Sequence, residues 1–165
     1  MEYLDLYDEN RKLTGNKILR GSRKPEKGEF INIVIIFIKN EEDKFLIQKT
    51  SKEKGSVWAT TGGHVKSGQT FNEAIIEEVK EELGIDISKE NVKLICTEKF
   101  DFAFQDTYYL EKNIDIKDIK IQEEEVEFVK WLSIDEIKEL INKGEFRKGN
   151  IGAFEKILDK LHLNK

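Results

Sequence analysis

Apolar residues are concentrated in short runs that charged segments separate. The longest run, residues 30–38, is nearly continuous and rich in β-branched and aromatic side chains, which predicts a central strand buried on both faces. Residues 40–43 form a polar turn, and residues 44–49 return as the second strand of a hairpin. Further strands are predicted at 58–61, 92–104, 107–110 and 126–132, with short ones near 3–7 and 17–19.

Three segments carry helical signals. A capping box opens the segment 71–83, and Gly84 is a natural helix stop. A second capping box, which begins at Ser133, opens a helix that extends to about residue 142. Apolar residues at helical spacing predict a last helix over 151–161. Strands interleaved with three helices indicate an α/β fold, with one mixed sheet and helices on both sides.

Length and charge narrow the classes of function. The 165 residues fit one domain, in which 1–29 form a charged N-terminal extension. The formal net charge of -5 argues against binding long nucleic acids, which requires a basic surface. A single cysteine excludes an intrachain disulfide. The chain also lacks a signal-peptide pattern and any apolar run long enough to span a membrane, so we expect a cytoplasmic protein without a membrane partner.

The segment 71–83 places carboxylates on its apolar side. At about 100° per residue, Glu78 and Glu82 fall inside the apolar arc, and Glu81 lies at its edge. Buried carboxylates are unfavourable unless their charge is compensated, and an all-oxygen ligand set favours Mg²⁺, with Mn²⁺ as the other candidate. A solvated acidic helix is the alternative. The Gly62-Gly63 pair favours the metal site, because glycines let a backbone approach a metal or phosphate closely.

Segment 62–85 resembles the Nudix box, G-x5-E-x7-R-E-U-x-E-E-x-G-U, in which U is aliphatic. The matching positions are Gly63, Glu78, Val79, Glu81, Glu82, Gly84 and Ile85. The resemblance covers about 30–160, and the start at 5–7 is similar to the isopentenyl-diphosphate-isomerase-like branch. It implies a Nudix-type α/β/α sandwich with a mixed β-sheet, formed by residues 1–165 as a single domain.

The same resemblance implies roles for individual residues. Glu78 and Glu82 would bind metal, Glu81 would act as a ligand or base, and the Gly62 carbonyl would be a further ligand. The family often adds an acidic residue before a late strand, for which we choose Glu125 as a catalytic residue. The implied activity is Mg²⁺-dependent hydrolysis of a diphosphate linkage in a nucleoside di- or triphosphate, or in another nucleoside-diphosphate derivative.

Two positions depart from the box. Gln69 stands where the pattern has Glu, and Glu77 stands where it has Arg. Glu77 cannot donate the hydrogen bonds of an arginine, whereas Gln69 can donate one to Glu77 and so compensate in part. The alternative function is therefore a catalytically weakened Nudix nucleotide-binding module.

An isomerase is a third alternative. Isopentenyl-diphosphate isomerases share the fold and carry a catalytic cysteine in the segment that corresponds to 62–64, where this chain has a glycine. His64 aligns with a histidine metal ligand of those enzymes, but Cys96 lies elsewhere, on a predicted strand. The sequence therefore disfavours isomerase chemistry.

Several residues are candidates for binding a small phosphorylated substrate. Arg20 and Arg23 belong to a basic N-terminal stretch that suits phosphate, although a solvated segment gives the same pattern. His64 directly follows Gly62 and Gly63, and we call residues 62–64 the glycine loop. The aromatic rings of Trp58 and Tyr108 suit stacking on a base, unless they pack in the core. The substrate and the oligomeric state cannot be identified from the sequence, which is compatible with a homodimer.

Overall fold

The strands and helices follow the predicted α/β order. The computed structural model describes residues 2–163. The strands are β1 (Tyr3–Tyr7), β2 (Leu13–Leu19), β3 (Ile31–Lys39), β4 (Phe45–Thr50), β5 (Trp58–Ala59), β6 (Thr61–His64), β7 (Lys93–Lys99), β8 (Ala103–Glu111) and β9 (Val126–Leu132). The helices are α1 (Phe71–Leu83), α2 (Ile134–Asn142) and α3 (Lys148–Lys160). Within residues 2–163, no helix is long and apolar enough to cross a membrane.

Strand β3 organises the main sheet. It runs parallel to β8 and antiparallel to β6, so the sheet is mixed, as predicted. The predicted hairpin of β3 and β4 forms only at its base, where Lys39 faces Phe45. Beyond that point β4 diverges and pairs instead with β5 and β9. The divergence of β4 leaves this edge of β3 free to pair with β6, which contains Gly62 and Gly63.

Helices cover both faces of β3. Val34, Ile36 and Ile38 point to one face, where they pack against buried residues of α1. Ile35 and Phe37 point to the other face, where α2 and α3 pack. Because successive strand side chains alternate between faces, a strand enclosed in this way is apolar throughout. The α/β/α sandwich and the doubly buried central strand are both confirmed.

Several predicted element boundaries are wrong, and the strand predicted over 107–110 begins already at Ala103. The strand predicted over 92–104 ends at Lys99, and a turn closes where the Phe100 N–H donates to the Ala103 carbonyl at 2.8 Å. This turn contains exposed aromatic residues, which gave the apolar pattern of a strand. The last helix begins at Lys148 rather than at 151. Its first turn is polar and has no side-chain cap, so the sequence carried no signal of a helix start there.

The N-terminal extension is an ordered hairpin of β1 and β2. Leu4, Leu6 and Ile18 form a small core of its own. The Arg11 guanidinium makes two hydrogen bonds to the buried Asp106 carboxylate, at 2.6 and 3.0 Å, and so fastens the hairpin to β8. The predicted short strands at 3–7 and 17–19 are therefore confirmed, and the second is longer than expected.

The hairpin also supports the loop that precedes α1. The Asp5 carboxylate accepts a hydrogen bond from Ser67 Oγ at 2.6 Å and one from the Gly68 N–H at 3.2 Å. In addition, the Ser67 N–H donates to the Tyr3 carbonyl at 2.8 Å. These contacts hold the loop between β6 and α1 and bring the end of β2 close to the glycine loop.

Candidate functional site

Helix α1 carries two carboxylates into the protein. A complete capping box at Thr70 and Glu73 fixes its start, and its apolar residues bury one face against β3. Glu78 and Glu82 lie on that buried side and are 9% and 6% exposed. Glu82 Oε1 accepts a hydrogen bond from Gln48 Nε2 of β4 at 2.8 Å. The burial predicted from the helical arc is confirmed for both carboxylates.

The two carboxylates strongly perturb each other. Burial, and then the hydrogen bond and charge of Glu82, raise the pKa of Glu78 to about 9. Burial also raises the pKa of Glu82, against the opposing hydrogen bonds from Gln48 and Glu78. Because the two carboxyl groups lie within hydrogen-bonding reach of each other, the pair retains a proton at neutral pH when no cation compensates its charge.

Both glycines of β6 are required by close packing. A Cβ on Gly63 would lie 2.6 Å from Glu78 Oε2, and closer still to the other carboxyl atoms. A Cβ on Gly62 would lie 2.6 Å from the Ile35 side chain of β3. Any larger residue at Gly63 would displace the Glu78 carboxylate, so the glycine sets the position of the acidic pair against the β6 backbone.

The carboxylates of Glu78 and Glu82 are chemically suited to bind a divalent cation. Two buried carboxylates are hard oxygen donors of the kind that Mg²⁺ prefers. Among the residues that the structure describes, no three acidic, histidine or cysteine side chains already converge on one point. Glu78 and Glu82 would thus supply two protein ligands, and the Gly62 carbonyl is the neighbouring backbone candidate.

Glu81 faces a different set of partners. It lies 3.9 Å from Lys66 Nζ, and its side chain is 43% exposed. Partial burial, and then a hydrogen bond with Glu77, raise the pKa of Glu81. The structure therefore places Glu81 on the outer side of α1, next to the acidic pair but not joined to it.

The altered box positions are held by a new contact. Gln69 Nε2 donates to Glu77 Oε2 at 2.5 Å, which confirms the predicted compensation. Lys66 Nζ also forms an ion pair with Glu77, and this contact was not foreseen. Lys66 supplies from the loop the positive charge that the box pattern places on the helix. The ion pair between loop and helix is present with its polarity reversed.

A cavity of about 520 Å³ lies on the face of the sheet opposite α1. Its floor includes Ile33 and Ile35 of β3 together with the Gly62-Gly63 backbone. The walls come from the end of β2, the loops before β5 and β9, the β7–β8 turn and the start of α3. The remaining lining residues, of which His64 and Gln105 belong to β6 and β8, are Arg20, Lys54, His64, Phe100, Gln105, Glu125, Arg147, Gly149 and Asn150.

Three cations line this cavity, and so does the backbone of Gly63, against which the Glu78 carboxylate packs. Arg20 Nη1 lies 2.8 Å from Glu2 Oε2, and Lys54 Nζ lies 3.4 Å from Glu125 Oε1. Arg147 precedes α3, and within the described chain its guanidinium forms no ion pair at 4.0 Å or less. Positive side chains that line a cavity in this way are suited to hold phosphate oxygens.

His64 adds a neutral polar group to the cavity. Burial, and then the positive charge of Arg20, lower the pKa of its imidazole. Its Nδ1 is enclosed and has no hydrogen-bond partner among residues 2–163. The imidazole therefore contributes a hydrogen-bonding group rather than a charge at neutral pH.

The structure brings some of the predicted substrate contacts to the cavity and leaves others outside it. Arg20 and His64 line the cavity, but Arg23 pairs with Glu29 on the surface. Trp58 packs edge-on against Phe128, with ring centroids 5.4 Å apart, and the cavity lining does not include it. Tyr108 is buried in the core beneath α1, because its position on β8 points to the α1 face.

Cys96 lies on β7, and the cavity lining does not include it. It is half-buried, and burial raises the pKa of its thiol. With glycines at 62 and 63 and the thiol in this position, the cavity contains no cysteine that could serve the isomerase reaction.

Comparisons with known proteins agree with this arrangement. The family model described as the NUDIX domain matches residues 29–153. An uncharacterised Nudix hydrolase of Listeria innocua is 35% identical over 150 residues, which are 88% of each chain. A crystal structure of a Deinococcus radiodurans protein is similar, with a TM-score of 0.78 and 23% identity over 93% of this chain and 96% of that chain.

A second similar structure is the NUDIX domain of NrtR from Shewanella oneidensis, described as complexed with ADP ribose. Its TM-score is 0.65, with 14% identity over 80% of this chain and 88% of that chain. At this identity the structural likeness shows the fold, whereas the domain match and the Listeria relative show the family. The chain therefore belongs to the Nudix hydrolase family.

Proposed function

We propose that this protein catalyses the Mg²⁺-dependent hydrolysis of a diphosphate linkage in a nucleoside di- or triphosphate, or in another nucleoside-diphosphate derivative. The observation that carries the proposal is the buried Glu78–Glu82 pair next to a cavity with three cationic side chains. Such a pair needs a cation, and such a cavity suits an anion, so a metal-bound phosphorylated ligand satisfies both. The ADP ribose that the NrtR domain holds is a nucleoside-diphosphate derivative and supports the same class.

The acidic residues divide into metal-holding and proton-accepting groups. Glu78, Glu82 and the Gly62 carbonyl would hold Mg²⁺, with Mn²⁺ as a substitute. A bound cation would neutralise the charge of the diphosphate and of its transition state. Glu125 lines the cavity from the loop before β9, and its carboxylate can orient and deprotonate an attacking water. Glu81 is the second candidate for the base.

The cationic residues bind and orient the substrate. Arg20 lies at the end of β2 and is engaged by Glu2, which a phosphate group can replace. Lys54 lies 3.4 Å from Glu125 Oε1, so a cation and the proposed base line the cavity side by side. Arg147 approaches from the start of α3. Together they would hold phosphate oxygens in line for attack, which is the main contribution of a protein to phosphoryl chemistry.

The test measures phosphate and nucleotide release from nucleoside di- and triphosphates, nucleotide sugars and dinucleotides, with and without Mg²⁺. We expect metal-dependent turnover that falls at least about a hundredfold in Glu82→Gln. Glu123→Gln removes an exposed acid near Glu125 and is the matched control. If the wild type hydrolyses no member of the panel with Mg²⁺ or Mn²⁺, the proposal is wrong.

The altered box motivates a second candidate, a nucleotide-binding module without strong catalysis. In that case nucleotides bind to the wild type without turnover, and the combined Gln69→Glu and Glu77→Arg replacement creates activity. The Lys66 contact with Glu77 speaks against it, because the loop and helix are already held together. Robust turnover by the wild type would eliminate the binding module, and conversion of an allylic diphosphate without phosphate release would indicate an isomerase.

A further inference from the structure

A buried series of hydrogen bonds ends at the Glu82 carboxylate. Gln48 Nε2 donates to Glu82 Oε1 at 2.8 Å, and Thr61 Oγ1 donates to Gln48 Oε1 at 2.9 Å. The three side chains belong to α1, β4 and β6, and Glu82, Gln48 and Thr61 are 6%, 3% and 2% exposed. The Thr61–Gln48–Glu82 series therefore connects β6 with the buried face of α1 without the help of water.

The direction of the series is fixed by its last member. An ionised carboxylate only accepts hydrogen bonds, so the amide nitrogen of Gln48 must face Glu82 and the amide oxygen must face the other way. The Thr61 hydroxyl is then the donor that holds the amide in this orientation. If the amide turned over, its oxygen would face the Glu82 carboxylate, and two acceptors would meet. Thr61 thus orients Gln48, and Gln48 orients Glu82.

The backbone of Gln48 is held from both sides. Gln48 lies opposite Ala59 of β5 and opposite Val129 of β9. On the same face of β4, Leu46 belongs to the apolar core beneath α1. A buried amide is unfavourable unless its polar atoms are hydrogen-bonded, so packing alone would favour an apolar residue at this position. Gln48 is therefore a rigid support whose polar group serves the carboxylate.

Both members of the acidic pair are positioned from β6. Gly63 sets Glu78 by close packing. Thr61 sets Glu82 through the amide of Gln48. The residue between Thr61 and Gly63 carries the carbonyl that is the backbone candidate for a metal ligand. One strand of four residues thus fixes all three candidate ligands relative to each other.

We propose that Gln48 is a positioning residue for the metal site and that Thr61 acts through it. A glutamate side chain turns easily about its last bond, and the charge of Glu78 would push the Glu82 carboxylate away. The hydrogen bond from Gln48 holds the carboxylate in place before a cation arrives, so binding has to impose less order. This inference rests on the proposed function, from which it takes the metal site.

The experiment titrates the protein with Mn²⁺ alone and follows the EPR signal of the free ion, with Glu82→Gln as the background for other sites. Gln48→Met keeps the length of the side chain and removes both hydrogen bonds, so the Kd for Mn²⁺ should rise about tenfold or more. Thr61→Val removes the donor and should also raise the Kd, whereas Thr61→Ser keeps the hydroxyl and should bind as the wild type does.

Two comparisons sharpen the result. Because Gln48 and Thr61 act through one series, the variant with both Gln48→Met and Thr61→Val should bind no more weakly than Gln48→Met alone. Thr107→Val is the matched control, since Thr107 is buried and its hydroxyl makes no hydrogen bond within the described chain. It should leave the Kd unchanged.

Urea unfolding in EDTA separates positioning from packing. If Gln48→Met lowers only the free energy of unfolding and the folded variant keeps the wild-type Kd, the inference is overturned. It is also overturned if Thr61→Ser binds as weakly as Thr61→Val, or if the wild type binds no more Mn²⁺ than Glu82→Gln. Should Gln48→Met not fold, the two Thr61 variants decide.

Hydrolysis of the substrate panel in Mg²⁺ is scored separately. Wild-type turnover together with an unchanged Kd in Gln48→Met would refute the positioning role and leave the hydrolase in place. Mn²⁺ binding by the wild type that weakens in Gln48→Met, without turnover of any substrate, would support the positioning role and refute the hydrolase.

Discussion

The buried carboxyl of Glu78 should lower the free energy of unfolding of the metal-free protein at neutral pH, and a substitution can measure this cost. Its pKa is about 9, against an ordinary value of 4.5, mainly because burial disfavours the charged form and Glu82 adds a second negative charge. Glu78→Gln keeps the shape of the side chain against Gly63 and removes the ionisation. The variant should therefore be more stable than the wild type when no metal is present, although it should lose activity.

The sign and size follow from proton linkage. Since the folded-state pKa is the higher one, the folded protein keeps a proton on Glu78 that the unfolded chain releases above pH 4.5. The wild type thus loses stability as the pH rises from 4.5 to about 9. At about 1.4 kcal/mol per pH unit, Glu78→Gln should gain up to about 4 kcal/mol at pH 7.5 and almost nothing near pH 4.5.

Urea unfolding in the presence of EDTA, repeated between pH 4.5 and 9, measures this difference. The gap between Glu78→Gln and the wild type should widen with pH, whereas Glu123→Gln should follow the wild type throughout. Added Mg²⁺ should narrow the gap, since it stabilises only the protein that binds it well. Curves for Glu78→Gln and the wild type that stay parallel over the whole range would refute the reasoning.

Two further substitutions test the supports of the site. Gly63→Ala adds a Cβ against the Glu78 carboxylate, so the Mg²⁺ concentration for half-maximal activity should rise at least about tenfold in a metal titration. An unchanged titration would show that metal binding does not depend on the position of the Glu78 carboxylate against Gly63. Arg11→Met leaves the buried Asp106 without its bidentate partner and should lower the free energy of unfolding in urea by about 3 kcal/mol. Arg11→Lys retains the charge and should lose less, and a loss below about 1 kcal/mol in Arg11→Met would mean that Asp106 is compensated otherwise.

Local signals were sufficient to predict the acidic half of the site. A capping box and a terminal glycine fixed α1 to the residue, and a helix fixed in this way determines which side chains share its buried face. The burial of Glu78 and Glu82 could therefore be derived from spacing alone. The two-faced burial of β3 followed in the same way from its uninterrupted apolar pattern.

The cavity beside the acidic pair depends on contacts between segments that are distant in the sequence. Gln105 reaches the Gly149 carbonyl only because β8 lies beside β3 and α3 packs on the same face, and no local pattern encodes that contact. Trp58 and Tyr108 were misplaced for the same reason: aromatic rings suit both stacking and core packing, and strand register decides between them. Residues 105 and 106 fell between two predicted strands, because consecutive polar residues interrupt the apolar pattern of β8.

The reversed ion pair explains how the box tolerates its two departures. In the box pattern the helix provides a cation to the loop, whereas here Glu77 of the helix receives a cation from Lys66 and a hydrogen bond from Gln69. What α1 requires is an attraction between the loop and its outer face, and Coulomb attraction does not depend on which partner is positive. Glu78 and Glu82 point to the opposite, buried side of the helix, so the reversal leaves their positions unchanged. The arrangement of the acidic pair is thus maintained by the contact between loop and helix rather than by the identity of the charged residues.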